Sequence, residues 1–418
     1  MARVLLVSLV FPPDNVSTAH LMGELAVDLA AAGHSVSVIT TTPHYNRDAQ
    51  AEAGQPLHRW LGRLVQRSVY RGLPVYHTLM PPKSGSALLR VGAWAIFHTL
   101  SVFVAVVAVG RVGVIVVPSP PLTMGLVAWL LSWLKRAPFV YSVLELHPDI
   151  AISLGLVRNP LLVRVLFALE RFVYARAAHI TVIAEAMRRR IMSKGVSAAK
   201  VTLIPNFVDT TVSLAEPRPN EFSRAHGLDG AFVTSYAGNI GPAQGLEALL
   251  EAAALLQDDP RHRILIVGGG ILAAAFAARV ARDGLTNVIL LAHQPVERVP
   301  AIYGASDLCV VSQSAATISD AVPSKVYRIM GAARPILAVT APTSDLAELV
   351  AESGGGIVVQ PGDARALADA IRLAAADPER LQAMGAAGRA HVVAHYERRL
   401  VTQRYAQVMV DTMREYAG

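Results

Sequence analysis

The sequence predicts an α/β protein made of two doubly wound parallel-sheet units in series. Three observations carry this expectation. The length, 418 residues, is too great for one compact domain and suits two of about 200 residues each. Short β-branched runs alternate with helical periodicity, the pattern of a parallel sheet covered by helices on both faces. The pattern then restarts after Ile204-Pro205-Asn206.

Taken in order, residues 3–10 read as a buried strand and 19–32 as an amphipathic helix stopped by Gly33. Arg3 and the apolar run behind it imitate a short signal peptide, but no small-residue cleavage site follows and Pro12-Pro13 ends the run. Residues 35–40 form a second strand, and 65–78 a hairpin turning at Arg71-Gly72. Residues 88–109 are long and apolar enough to span a bilayer. Arg90, His98, Thr99 and Ser101 interrupt them, so a packed or interfacial helix is expected. A strand at 114–117, a helix at 122–134 and a strand at 139–144 follow.

The second unit opens with a strand at 233–236 that runs into the turn GNIGPAQG (238–245) and a helix at 246–256. A strand at 264–267 closes on Gly268-Gly269-Gly270, and further strands are expected at 288–291, 308–311, 335–339 and 356–359. From 364 onward the chain reads as helix alone. The expected division is 1–208, 209–385 and a C-terminal helical segment 386–418 packing back toward the first domain.

Composition narrows the function. Apolar residues make up 53% of the chain and charged residues 17%, which excludes disorder. The mean hydropathy of +0.41 points to lipid contact. The net charge of +7 attracts phosphates or anionic lipid. No interleaved basic-aromatic stripe supports nucleic acid as a partner. The lone Cys309, within DLCVV, reads as a buried strand residue. There is no GxxxxGK[ST] loop, no dinucleotide fingerprint and no His/Cys cluster with zinc spacing.

Three segments carry chemistry. The turn 238–245 follows a strand and opens a helix, where free backbone N–H groups receive anions. In VPSK, Pro323 and Ser324 suit a helix start, yet Lys325 places a cation in the first turn, where only an anionic ligand would compensate it. In VLELHPDI, a strand end presents Glu145, His147 and Asp149, which alternate on one side if the backbone stays extended and could orient an acceptor hydroxyl or take its proton. Arg59 and Arg63, spaced one helical turn apart beside Trp60, and Arg188-Arg189-Arg190 are candidate contacts with an anionic membrane.

The order FPP…LAVDLAAAGHSVSVIT, IPNFVDT, YAGNIGPAQGLEALLEAA, ILIVGGG and VPSKVYRIMGAARPILA resembles the family-4 retaining glycosyltransferases over nearly the whole chain. Within them it is most similar to bacterial cell-surface polysaccharide enzymes, a subgroup that includes L-N-acetylfucosamine transferases. The resemblance implies a GT-B fold, two Rossmann-like domains facing each other across a cleft. It also implies a retaining hexosyl transfer that needs no metal and no cofactor. Gly238, Asn239 and Gln244 would lie near the donor diphosphate, His293 and Gln294 by the nucleobase, and Gly268 elsewhere in the donor site. Ser324 and Lys325 would reach diphosphate or ribose, and Asp320 matches the first acidic position of the family's paired motif. Asn15, Ser17, Thr18 and His147 would face the acceptor, with Glu145, Asp149 and Lys325 as catalytic candidates.

The sequence departs from the family where Arg328 replaces the second carboxylate and Asn239 and Gln244 replace the usual cations of the diphosphate turn. The expected partners are a nucleotide-sugar, UDP-linked rather than GDP-linked, and a polyprenyl-diphosphate-linked sugar. The expected place is the cytoplasmic face of the cell membrane, held peripherally. Two rival readings stand beside this one: a non-catalytic GT-B binding protein and a nicotinamide-dependent oxidoreductase.

Overall fold

The structure, a computed structural model, describes residues 1–45, 47–81, 87–315 and 322–417, with Ala87 and Leu88 described by backbone alone. The chain divides into two units, residues 1–205 with 399–418, and residues 206–398.

Unit one begins with β1 (Arg3–Val7), α1 (Ser17–Ala31), β2 (Ser35–Thr41), α2 (Ala49–Gly54), β3 (His58–Leu61), β4 (Val65–Tyr70) and β5 (Leu73–Thr78). It continues through α3 (Ala87–Ala108), β6 (Val114–Ser119), α4 (Met124–Lys135), β7 (Phe139–Val143), α5 (Asp149–Ser153), α6 (Pro160–Arg176), β8 (His179–Val182), α7 (Glu185–Ser193) and β9 (Val201–Leu203). Its nine strands lie in the order β3-β4-β5-β2-β1-β6-β7-β8-β9. All pairs are parallel except β3-β4 and β4-β5. The expected hairpin is β4-β5, and Arg71 and Gly72 both take positive φ at its turn. Arg59 and Arg63 are not on a helix. Arg59 belongs to β3 and Arg63 to the turn into β4, because the β-branched and aromatic residues around them favour a pleated edge.

Strands β1, β6 and β7 are buried throughout except Arg3, which is why they read as continuous apolar runs. Helix α3 is the one helix among the described residues long and apolar enough to cross a membrane. One side of it packs into the unit through Phe97, Ser101, Val104 and Ala105, all buried at helical spacing.

Unit two contains α8 (Glu221–Ala225), β10 (Phe232–Ala237), α9 (Glu247–Leu255), β11 (His262–Val267), α10 (Ala273–Arg282), β12 (Val288–Leu291), α11 (Val299–Gly304) and β13 (Leu308–Ser312). It ends with α12 (Lys325–Gly331), β14 (Ile336–Val339), α13 (Asp345–Ser353), β15 (Gly356–Val359), α14 (Ala364–Ala375) and α15 (Pro378–His395). Its six strands are all parallel, in the order β12-β11-β10-β13-β14-β15. The order reverses beside β10, so the switch point lies between β10 and β13. Cys309 is buried on β13, with its thiol pushed up to about 11 by burial.

The final helix, α16 (Arg398–Ala417), returns to unit one. Thr402 donates to Asp28 on α1 at 3.0 Å, and Val401, Tyr405 and Met409 are buried. The return therefore comes after 398 rather than at 386. Residue 386 falls inside α15, which packs on α12, α13 and β15 of unit two.

Candidate functional site

In open α/β sheets ligands bind beyond the carboxyl ends of the strands at the switch point. In unit two that place is built from the turns after β10, β11 and β13. The first two are joined backbone to backbone: Ile240 N–H donates to Gly269 O at 2.8 Å, and Leu272 N–H to Ile240 O at 3.0 Å. Such contact is open only to glycine. Gly268 (φ +155°) would set a Cβ 1.8 Å from Gly238 O, and Gly270 (φ +149°) would set one 2.4 Å from Ile240 O. The segment after β13 holds the first turn from its other side. Ser312 Oγ donates to Gln244 O at 2.6 Å, and Ser314 N–H to Ala243 O at 2.9 Å.

Against this frame stands Lys325, the first residue of α12. Its Nζ is buried, has no hydrogen-bond partner among the described residues, and lies 3.7 Å from the centroid of the Tyr236 ring. A Cβ on Gly238 would come 2.5 Å from that amine, so the glycine also makes its room. Tyr236 is buried and donates from its hydroxyl to Asn239 O at 2.6 Å, which clamps the turn. Burial lowers the Lys325 pKa to about 7, and the electron-rich ring face offers only partial compensation. An anion at this turn would stabilise the protonated form of an amine that has no hydrogen-bond partner among the described residues.

The other donor-side expectations are placed as follows. Asn239 donates to Gln244 Oε1 at 3.2 Å, so the two residues that replace cations bind each other across the turn. His293 is exposed after β12, and Gln294 donates to Ala292 O at 3.1 Å. Ser324 occupies the N-cap position of α12 with no side-chain bond to the helix amides, contrary to its expected capping. Arg328 follows Lys325 on the same helix and is partly buried. Asp320 lies outside the described residues. Sequence reasoning missed Tyr236 and Gly270. An aromatic residue one position before AGN was the available signal for Tyr236.

In unit one the expected trio separates. The His147-Pro148 peptide is cis, and Asp149 begins α5 instead of continuing an extended run. Asp149 accepts from Lys194 Nζ at 2.5 Å and from Arg190 Nε at 2.8 Å, while Lys194 also donates to the buried Glu170 at 2.6 Å. Burial raises the Asp149 carboxyl, but hydrogen bonds and charge from Lys194 and Arg190 outweigh it and hold the pKa below the usual value. Asp149 thus anchors α7 and is a poor proton acceptor, which corrects its catalytic assignment. Arg190 is thus ion-paired, as is Arg188 with Glu185 at 3.3 Å, so neither is a lone surface cation. Glu145 remains exposed, accepting from His147 Nε2 at 3.1 Å.

At the switch point of this sheet, beside β1, the buried Asp14 accepts the backbone N–H of His44 at 3.2 Å and of Tyr45 at 3.0 Å. Asn15 donates to Asp48 at 3.3 Å and pairs with His20 at 2.9 Å, while Ser17 is exposed and Thr18 half-buried on the first turn of α1. Among the described residues no three His, Cys, Asp or Glu side chains converge on a metal-sized site.

Both units thus have the Rossmann-like architecture of a GT-B protein, and comparison with known proteins agrees. Solved structures similar to this chain include Anabaena HepE in complex with UDP. It has a TM-score of 0.72 and 16% identity, covering 98% of this chain and 100% of that one. A sucrose-phosphate synthase from Thermosynechococcus elongatus has a TM-score of 0.75 and 19% identity over 98% of both chains. Residues 18–206 match the glycosyl transferase 4-like domain and residues 220–391 the glycosyl transferases group 1 domain. The chain belongs to the family 4/group 1 glycosyltransferases. Among curated relatives, a protein of Escherichia coli K12 named as the colanic acid biosynthesis glycosyl transferase WcaI is 26% identical over 89% of this chain and 92% of its own length. The glycosyltransferase WbjE of Pseudomonas aeruginosa is 24% identical over 70% and 73%. Family membership removes the oxidoreductase reading.

Proposed function

We propose that this protein transfers a hexosyl residue, an N-acetylated amino or deoxy sugar, from a UDP-linked donor to a polyprenyl-diphosphate-linked saccharide, with retention and without a metal. The observation that carries the reading is the buried Lys325 amine at the switch point of unit two, which has no hydrogen-bond partner among the described residues. The donor diphosphate would lie between the Gly238–Gln244 turn and this amine. Lys325, with Arg328 nearby on α12, would then supply the charge that Asn239 and Gln244 lack. Stabilising the leaving diphosphate is where such a cation contributes most, because charge develops there in the transition state. His293 and Gln294 would meet the base, and Ser324 and Asp320 the donor's remaining polar groups.

On the acceptor side, Glu145 and His147 would orient the attacking hydroxyl, with Asn15 just before α1 and Ser17 and Thr18 on its first turn. In a front-face displacement the donor phosphate itself receives the acceptor proton as the new glycosidic bond forms and the bond to diphosphate breaks. The UDP choice is supported by the UDP complex of Anabaena HepE, and the polysaccharide setting by the colanic acid name of the E. coli relative. A cytoplasmic protein held peripherally at the membrane would meet both substrates.

The deciding experiment is turnover with a panel of UDP- and GDP-sugars on a polyprenyl-diphosphate-sugar acceptor, with and without EDTA. UDP-sugar turnover that survives chelation and retains anomeric configuration is expected. Preference for GDP donors, restoration by Mn²⁺ after loss in EDTA, or inversion would each refute the matching part. Donor binding without turnover on any acceptor would favour the non-catalytic binding protein, a reading suggested by the missing diphosphate-turn cations.

A further inference from the structure

Helices α3, α4 and α6 connect β5 to β6, β6 to β7 and β7 to β8, all in one direction across the sheet of unit one. Right-handed crossovers put them on one face, and α3 touches α4 while α4 touches α6. Trp129 of α4 stacks edge-on against Phe172 of α6 at 5.2 Å, so the layer is closed. Its outer surface is apolar: Trp133 is 72% exposed, Leu161 68%, Leu89 64% and Val107 54%. Three of the chain's four tryptophans, Trp94, Trp129 and Trp133, belong to this layer. A patch of this kind on a folded protein marks a contact surface.

The charges on the layer have one sign. From residue 53 to residue 144 the sequence contains no Asp or Glu. On α6 the only carboxylate is Glu170, 0% exposed and paired with Lys194. Exposed Arg90, Arg111, Arg136, Arg164, Arg171 and Arg176 stand on or at the ends of these helices. A symmetric contact between two copies would set this all-positive surface against itself, which is unfavourable. A bilayer carrying anionic lipid matches both features at once, since exposed tryptophans favour the headgroup level and cations gain about 1 kcal/mol each near it. Helix α3 cannot leave the unit to span, because Phe97, Ser101, Val104 and Ala105 pack into it and His98 Nε2 bonds Thr123 Oγ1 of the segment before α4 at 2.8 Å.

We infer that the α3-α4-α6 face is the membrane-docking surface of this protein, seated flat on anionic lipid with Trp133 and Val107 in the interface. The inference rests on the proposed lipid-linked acceptor for its purpose, but the contact does not require turnover. It also moves the docking surface away from Arg188 and Arg190, which are ion-paired.

The test is flotation of the full chain with vesicles of phosphatidylglycerol mixed with phosphatidylcholine, against phosphatidylcholine alone. Binding to the mixed vesicles, weakened by salt and with a blue shift of tryptophan emission, is expected. The double variant Trp133→Glu/Val107→Glu, and separately Leu161→Glu, should lower partitioning by at least about tenfold with an unchanged Tm, because these side chains are solvent-facing. Leu373→Glu, an equally exposed apolar position on α14 of unit two, should not. Equal binding by the layer variants would overturn the assignment, as would equal binding to neutral vesicles. So would retention through alkaline carbonate, or a lipid-free dimer that Trp133→Glu/Val107→Glu dissociates. UDP affinity measured on the same variants separates this from the donor reading: it should stay unchanged even where docking is lost.

Discussion

Under the proposed function, Lys325 is a residue whose burial costs the fold and whose charge serves the ligand. An amine with a pKa near 7 in the folded state and about 10.4 unfolded binds fewer protons folded than unfolded between those values. Stability therefore rises with pH across that window, and the burial cost is fully present below it. Lys325→Met should accordingly melt higher than the wild type, with a gap that is widest below about pH 7 and narrows as pH rises. Bound diphosphate favours the ammonium form, so UDP binding above pH 7 should take up a proton, visible as a buffer-dependent enthalpy in calorimetry. UDP affinity should fall as pH climbs past 7, and Lys325→Ala should weaken it by about 2 kcal/mol, roughly thirtyfold. Unchanged UDP affinity in a variant that melts like the wild type would remove Lys325 from the site. Glu145 and Asp149 diverge in the same way. Glu145→Gln should slow turnover by about a hundredfold with little change in Tm, whereas Asp149→Ala should cost about 3 kcal/mol of stability by leaving Lys194 and Arg190 short of a partner.

At the scale of elements, the site in unit two depends on how closely the turns after β10 and β11 approach. Gly268→Ala would drive a methyl into Gly238 O, so unit two should lose about 3 kcal/mol or more and UDP binding with it. Gly269→Ala is the control, since nothing lies within 4 Å of the position its Cβ would take. Near-equal melting curves for the two variants would contradict the close backbone packing of Gly268 on Gly238. Much of this scale was legible. The strand-turn-helix order around GNIGPAQG was readable because a buried parallel strand is a continuous apolar run and its turn is rich in glycine. The edge strand β3 was not, because a short exposed strand carrying Arg59 and Trp60 has no apolar periodicity distinct from a helical one.

At the scale of the molecule, the C-terminal helix α16 completes unit one after the chain has built unit two. A chain stopped after Arg398 loses the Thr402–Asp28 bond and the buried Val401, Tyr405 and Met409. Unit one should then unfold at lower temperature while UDP affinity, which the proposed function assigns to unit two, changes by less than about twofold. A large loss of UDP affinity in the truncated chain would show that the donor site depends on more than unit two.

The sequence by itself determined the two α/β units, most of their strands and helices along the chain, and the family. These follow from local patterns: apolar runs, glycine turns, and a lysine where a helix start disfavours one. Tertiary structure decided which of the named residues are free to act. Lys194 lies 45 residues from Asp149 and 24 from Glu170, and only folding brings the three within hydrogen-bond distance and withdraws Asp149 from catalysis. Tyr236 and Lys325 are likewise distant in the chain, and their 3.7 Å contact arises because β10 and α12 meet at the switch point. The return after 398, rather than at 386, was also a tertiary decision. A helix's own periodicity says that it has an apolar face but not which core that face will enter.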